Sequence, residues 1–260
     1  MSSPSIERVS AAREQQWNAD ALTGNVTEPG CRIWLYPEPA IVLGCAQHKL
    51  MPAPGAPGED ALAVLMRRSG GGAVLVGPWL VGVSVCLPHG HPLLDPSLAG
   101  SYRWLGEAHV AALAAIGIAA HAVPPGRAQH GDDASTLPDP IDWACFGGVS
   151  AWEVVADGGR KIAGFAQIRR RGGALFVGAT LVQASPWALM CGRLGYGHEE
   201  AARLSERTVS CAEIAGESVT ALNFARIVSR ELGTRLSART GVGMDLGVGA
   251  RCSSEEVPAI

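Results

Sequence analysis

Near the start of the chain, Val9, Ala12, Trp17 and Ala21 fall close to one helical face between polar neighbours, which predicts a first helix over residues 8–22. The runs CRIWLY (31–36) and AIVLG (40–44) are rich in branched and aromatic side chains and flank a turn from Pro37 to Pro39, so they predict a strand pair. MPAPGAPGED (51–60) is broken up by prolines and glycines and reads as a surface loop. Residues 61–87 then run strand, glycine turn, strand and strand, as ALAVLMRR, SGGG, AVLV and WLVGVSVCL. In the last of these, Trp79, Val81, Val83, Val85 and Leu87 alternate with Leu80, Gly82, Ser84 and Cys86, the two-residue period of a sheet buried on one side. Helical spacing returns at 101–117 through Tyr102, Leu105, Leu113 and Ile116, with Gly117 as its stop, giving a helix to cover the sheet.

Residues 121–141 are polar and proline-rich, a long loop that delivers the chain to Cys145. AWEVVA (151–156), RKIAGFAQI (160–168) and ALFVGATLV (174–182), joined by DGGR and RRRGG, predict a strand meander. Helical patterns resume near Pro186 and include 219–232. Because strands and helices do not alternate strictly, the pattern predicts an α+β fold, a largely antiparallel sheet with helices packed on it. No internal repeat is evident; residues 1–240 read as one catalytic domain and 241–260 as a loose tail.

Composition narrows the classes. With 47% hydrophobic and 17% charged residues the chain is globular, and 260 residues suffice for a sizeable core. A formal net charge of −3 supplies no basic field for nucleic acid. Seven cysteines, odd in number and never spaced as CxxC, indicate neither a zinc site nor a disulfide framework. The charged first twenty residues, and the lack of a long apolar run, predict a cytoplasmic protein with neither nucleic acid nor membrane as partner.

Three clusters could carry chemistry. In RRSGGGAV (67–74), glycines without Cβ atoms let a ligand approach the backbone amides, and Arg67 or Arg68 could pair with an acyl carbonyl or a phosphate; a plain hairpin turn is the alternative. In GGRKIAGFAQIRRRGG (158–173), alternation puts Lys161, Ala163, Phe165 and Gln167 on one face and Ile162, Gly164, Ala166 and Ile168 on the other. A partly desolvated lysine there could accept or donate a proton or clamp a carbonyl, whereas a lysine after GG is more often a solvated turn residue. Cys145, in DWACFGGVSAWE, could act as a thiolate nucleophile helped by a nearby cation, or be one core cysteine among several. Cys191, flanked by glycine in LMCGRLGYG, is the other candidate thiol and reads as a loop residue. His89 and His91 lack a supporting third ligand, so no metal site is expected. GVGMDLG (241–247) lacks the strand of a dinucleotide fold, and the RRR of 169–171 reads as a solvated hairpin tip that could dock an acidic partner.

Taken in order, RRSGGGAV, LVGVSV and ACFGGVSAWEVVADGGRKIAGFAQIRRRGG, with EQQWNADAL near the start, resemble the lipoate-protein ligase and octanoyltransferase family, over roughly residues 10–235. The resemblance implies the class II biotin-synthetase-like fold, a mixed and mostly antiparallel sheet flanked by helices. It implies transfer of an octanoyl or lipoyl group to the lysine of a lipoyl domain, with Cys145 forming the thioester and Lys161 assisting. Arg67, Arg68, Ser69, Gly70, Gly71, Gly72, Ala73, Gly164 and Gln167 would shape the substrate site. The partners it implies are an acyl-carrier donor and the lipoyl domains of 2-oxoacid dehydrogenase E2 or glycine-cleavage H protein. Transfer requires no cofactor; the alternatives are a ligase using ATP and Mg, with Cys145 only structural, and a silent lipoyl-domain-binding relative. The chain departs from the family pattern at Val177–Gly178, where many members carry His-Gly, and around Val76 and Gly77, where an aspartate is common.

Overall fold

The structure, a computed structural model, describes residues 4–53, 62–127 and 137–238. The chain opens with a short strand, β1 (Ser5–Arg8), and helix α1 (Ala11–Asp20), whose N-cap Ser10 accepts from the Arg13 amide. Strands β2 (Gly30–Leu35), β3 (Ala40–Leu43), β4 (Ala63–Met66), β5 (Val74–Val76) and β6 (Leu80–Pro88) follow, then helix α2 (Arg103–Ala114) and strand β7 (Ala120–Ala122). The meander is β8 (Val154–Ala156), β9 (Arg160–Arg170) and β10 (Gly173–Leu181), and the chain closes with α3 (Trp187–Arg193), α4 (His198–Arg207), α5 (Cys211–Ala215) and α6 (Ala221–Ala238).

Seven strands form one sheet in the order β1-β2-β6-β10-β9-β8-β7, antiparallel throughout except for β1 against β2. A second sheet, β4-β3-β5, has β3 in its centre. The expected α+β class, with a mixed and mostly antiparallel sheet flanked by helices, is what the chain adopts. The expected pairing of 31–36 with 40–44 is not. β2 pairs with β1 and β6, while β3 joins the small sheet. Pro37 and Pro39 fix φ and supply no N–H for a tight hairpin ladder, and the link between them carries the chain out of one sheet into the other.

β6 is also buried on both faces rather than one. Its Val81, Val83, Val85 and Leu87 pack with Leu105, Ala108 and Ala112 of α2 and Phe224, Val228 and Leu232 of α6. On its other face Leu80 joins the core beneath the small sheet, with Trp34, Ile41, Leu75, Phe146, Trp187 and Leu204. The alternating polar positions proved to be small rather than solvated: Ser84 accepts from the Trp34 indole at 2.8 Å. In α1 the inward face is Ala11, Glu14 and Asn18, not the apolar line through Ala12 and Trp17: Ala11 joins the core, and Glu14 and Asn18 line a pocket beside Tyr36. The expected tail at 241–260, with GVGMDLG, and most of the proline loop at 51–60 lie outside the described residues.

Candidate active site

The glycine loop holds the cysteine segment. Arg67, leaving the end of β4, is 7% exposed and turns its guanidinium inward. It donates from Nε and Nη2 to Gly70 O at 3.2 and 2.8 Å, from Nη2 to Gly72 O at 2.8 Å, and from Nη1 to Val42 O at 3.0 Å. Those bonds use four of the five N–H groups of an arginine, so its main task here is to fix the loop. Gly71, at φ +93, supplies the left-handed turn. A Cβ on Gly72 would lie 2.6 Å from Ala144 C and from Cys145 N. That glycine therefore makes room for the cysteine segment, not for a ligand. Ala73 completes the junction: its N–H donates to Trp143 O at 2.8 Å and its carbonyl accepts from Cys145 N at 2.9 Å.

Cys145 begins a single 3-10 turn, Cys145–Gly147, and is half-buried. Lys161, 1% exposed, directs its ammonium under that turn, donating to Cys145 O at 2.6 Å, Gly148 O at 3.0 Å and Glu153 Oε2 at 2.6 Å. Three acceptors match the three donors of an ammonium. Glu153 is held in turn by the amides of Ser150 at 2.6 Å and Phe165 at 3.1 Å. Two local devices bring the pair together. Trp152, at φ 66, lies in the left-handed region, and Gly106 of α2 leaves space for its carbonyl. In β9 the register against β8 slips between Val154–Ala163 and Val155–Lys161, leaving Ile162 as the extra residue of a bulge. The expected alternation breaks there. Ile162, Ala163 and Phe165 pack in the core, while Lys161 sits beside Gly164, whose Cβ would come 3.1 Å from Nζ.

A pocket opens beside Cys145, with Val42, Val74, Val76, Ala166, Val177 and Ala179 as its apolar walls. Glu14, Gln15, Asn18 and Tyr36 also line it, and none of them was singled out from the sequence. The only available signal was EQQWNADAL, where buried polar side chains at helical spacing look like a solvated face. Burial pushes the Cys145 thiol above its usual range; Lys161 and Arg67 pull it down, and Glu153 pushes it up again. A second cleft is lined by Gly70, Gly71, Tyr102, Ser150, Glu153, Phe165 and Gln167.

The structure brings Arg67, Cys145, Lys161 and Gly164 together and sets other sequence-derived residues apart. Gly164 lines the Cys145 pocket, whereas Arg68 and Ser69 line an adjoining cleft with Met66 and Leu175. Gln167 borders the second cleft and donates to Leu98 O at 2.6 Å. Cys191 is no loop residue. It is 1% exposed within α3, and burial and then Glu200 push its thiol up to about 11. The 169–171 tip is only partly solvated, because Arg169 folds back to Asp95 O, Ser97 O and the Ser101 hydroxyl. His91 is buried and accepts from Leu93 N at 3.2 Å. Among the described residues no helix is long and apolar enough to cross a membrane.

The chain is similar to known proteins in sequence and in fold. The chain is 30% identical over 198 residues to the octanoyltransferase LipM of Kyrpidia tusciae, spanning 75% of this chain and 70% of that protein. It is 31% identical over 168 residues to the octanoyltransferase LipM of Lysinibacillus sphaericus, spanning 62% of this chain and 58% of that one. Among solved structures, its fold is similar to a putative lipoate protein ligase from Thermoplasma acidophilum with bound lipoic acid, at TM-score 0.63 and 17% identity over 90% of this chain and 86% of the other. It is similar also to the bipartite lipoate protein ligase of that organism, at TM-score 0.65 and 17% identity over 90% and 83%. The model of the lipoyl protein ligase A/B catalytic domain matches residues 11–232, and the chain belongs to that family.

Proposed function

We propose that the protein is an octanoyltransferase of protein lipoylation, moving an octanoyl or lipoyl group from a carrier thioester to the lysine of a lipoyl domain. The observation that carries this reading is that Cys145 lines a pocket with valine and alanine walls while the Lys161 ammonium is bonded to its carbonyl. The octanoyltransferase names of the relatives from Kyrpidia tusciae and Lysinibacillus sphaericus support the choice of acyl group. The Thermoplasma ligase described with its E2 lipoyl domain supports the choice of acceptor.

In the first half-reaction the Cys145 sulfur attacks the donor carbonyl, the new C–S bond forms, and the carrier thiol leaves with the proton that Cys145 gave up. In the second, the acceptor amine attacks the acyl-enzyme, an amide C–N bond forms, and Cys145 recovers a proton as its thiol. Lys161 and Arg67 supply the positive field that offsets the burial of the thiolate, and Glu153 positions Lys161. Because all three Lys161 donors are engaged at rest, the carbonyl clamp expected from the sequence requires the ammonium to exchange one backbone partner for substrate. At ~0.8 kcal/mol per buried CH₂, a tail of about seven carbons contributes on the order of 5 kcal/mol, enough to anchor it in the pocket. The thioester already carries the activation, so transfer proceeds without ATP or Mg. The six described cysteines are free thiols, which supports a reducing, cytoplasmic setting.

Incubation with an octanoyl-carrier donor and an apo lipoyl domain tests the reading. Octanoylated lipoyl domain is expected without nucleotide. Product formed only from free acid with ATP, together with lipoate-dependent pyrophosphate exchange that survives Cys145→Ser, would overturn it in favour of adenylate chemistry.

A further inference from the structure

One lane of small side chains crosses the large sheet beneath the Cys145 pocket. Gly164 on β9 pairs with Ala179 on β10, Ala179 with Gly82 on β6, and Gly82 with Trp34 on β2. Directly paired residues lie on the same side of a sheet, so the lane spans three strands and stops against an indole on the fourth. Lys161 marks its open end: a Cβ on Gly164 would come 2.9 Å from the lysine Cε, and the ammonium is bonded to Cys145 O. Two strand spacings, roughly 10 Å in all, separate Gly164 from Gly82, a span comparable to an extended eight-carbon acyl chain. Val42, Val74 and Val76 line the same pocket from the small sheet.

Tyr36 closes the far end. It follows β2, is 4% exposed, and lies over Gly82, where a Cβ would be 2.2 Å from the phenol oxygen and 3.0 Å from Cζ. Among the described residues the pocket is lined by Tyr36 and not by Gly82 or Trp34, which the ring covers. Helix α1 pins that ring: its hydroxyl donates to Glu14 Oε2 at 2.8 Å, and Asn18 Nδ2 donates to Glu14 Oε1 at 3.2 Å. The methyl end of an octanoyl chain meets ring carbons and a hydroxyl already engaged, so it breaks no hydrogen bond. A longer chain has to push the ring off Gly82 and strip a buried carboxylate of its donor.

From this arrangement we propose that Tyr36 sets the acyl chain length, acting as an end wall that admits octanoyl and excludes longer straight chains. The inference rests on the acyl-transfer reading of Cys145 and adds the residue that fixes which chain that site accepts. The valine walls contact methylenes of any chain, so discrimination by length falls on the wall.

Hexanoyl, octanoyl and decanoyl thioesters of one small carrier thiol differ only in length. The rate at which each adds mass to Cys145 is expected to peak at octanoyl in the wild type, with decanoyl about tenfold slower. In Tyr36→Ala the volume of the ring is free, and decanoyl is expected to load to within about threefold of octanoyl. Ala179→Leu fills the middle of the lane and is expected to move the peak to hexanoyl. Should Tyr36→Ala not fold, Tyr36→Leu/Glu14→Leu removes donor and acceptor together and reads the same ratio. A wild type that loads decanoyl as fast as octanoyl, a folded Tyr36 variant that keeps the wild-type ratio, or a peak still at octanoyl in Ala179→Leu overturns the inference and leaves the transfer reading standing. If no thioester marks Cys145, the transfer reading itself has failed and the inference falls with it.

Discussion

Lys161 has two jobs at once. Its ammonium fixes the backbone of the Cys145 turn, and its charge lowers the cost of a thiolate at Cys145. The Lys161–Glu153 pair, 1% and 3% exposed, is a buried charge pair in which each partner makes the other tolerable. Lys161→Met strands the Glu153 carboxylate and is expected to cost about 3–5 kcal/mol in urea unfolding, with Lys161→Met/Glu153→Met recovering part of the loss. Near-wild-type stability of the single variant would contradict this account of the pair. The sequence singled out Lys161 and Cys145, because a lysine beside small strand residues and a cysteine amid glycines are legible as residue types. Glu153 as the lysine's partner was not legible, since the meeting depends on a bulge at Ile162 and a left-handed Trp152 that no periodicity records. Glu14 and Asn18 were hidden for a different reason: polar spacing on a helix normally marks the solvated face, and here it marks a pocket.

At the scale of elements, the glycine loop and the cysteine turn are one unit, joined by the Ala73–Ala144 bridge and braced by Arg67. Its glycines are not equivalent. Gly72→Ala puts a Cβ 2.6 Å from the backbone at Cys145 and is expected to displace the sulfur, lowering the rate of acyl-enzyme formation by about a hundredfold. Gly70→Ala meets nothing within 4 Å and is expected to change unfolding stability by no more than about 0.5 kcal/mol. Equal behaviour of the two variants in rate and urea midpoint would show that the loop is an ordinary turn. The meander β8-β9-β10, the long β6 and the helices α2 and α6 were readable because period and turn chemistry are local. The membership of β3 was not readable. Four apolar residues after a proline turn fit either sheet, and only the long-range partners β4 and β5 decide between them.

Across the whole molecule, two cores lie on opposite sides of the large sheet, one under α2 and α6, the other between the small sheet, α3 and α4. His109 of α2 sits in the first, its ring against Phe165 at 4.8 Å between centroids and its Nδ1 2.8 Å from Leu105 O. Burial holds it down to about 4, with Arg235 adding to the effect and the Leu105 carbonyl opposing it. Between about pH 6.5 and 4 the unfolded chain binds a proton that the folded chain refuses, so stability is lost as pH is lowered through that window, by about 3 kcal/mol from this residue. Urea midpoints over pH 4 to 7 should show the slope and its flattening in His109→Met; an unchanged slope would remove His109 from the acid response. Glu14, raised by burial, acts in the opposite sense, its contribution being present at low pH and lost as pH rises through its folded value. Whether these two cores frame a covalent acyl-transfer centre is decided most directly by the intact mass of the protein after exposure to an octanoyl thioester without nucleotide. The account predicts one octanoyl adduct on the wild type, discharged by an apo lipoyl domain and missing from Cys145→Ala. An adduct undiminished in Cys145→Ala, or none on the wild type, would contradict it.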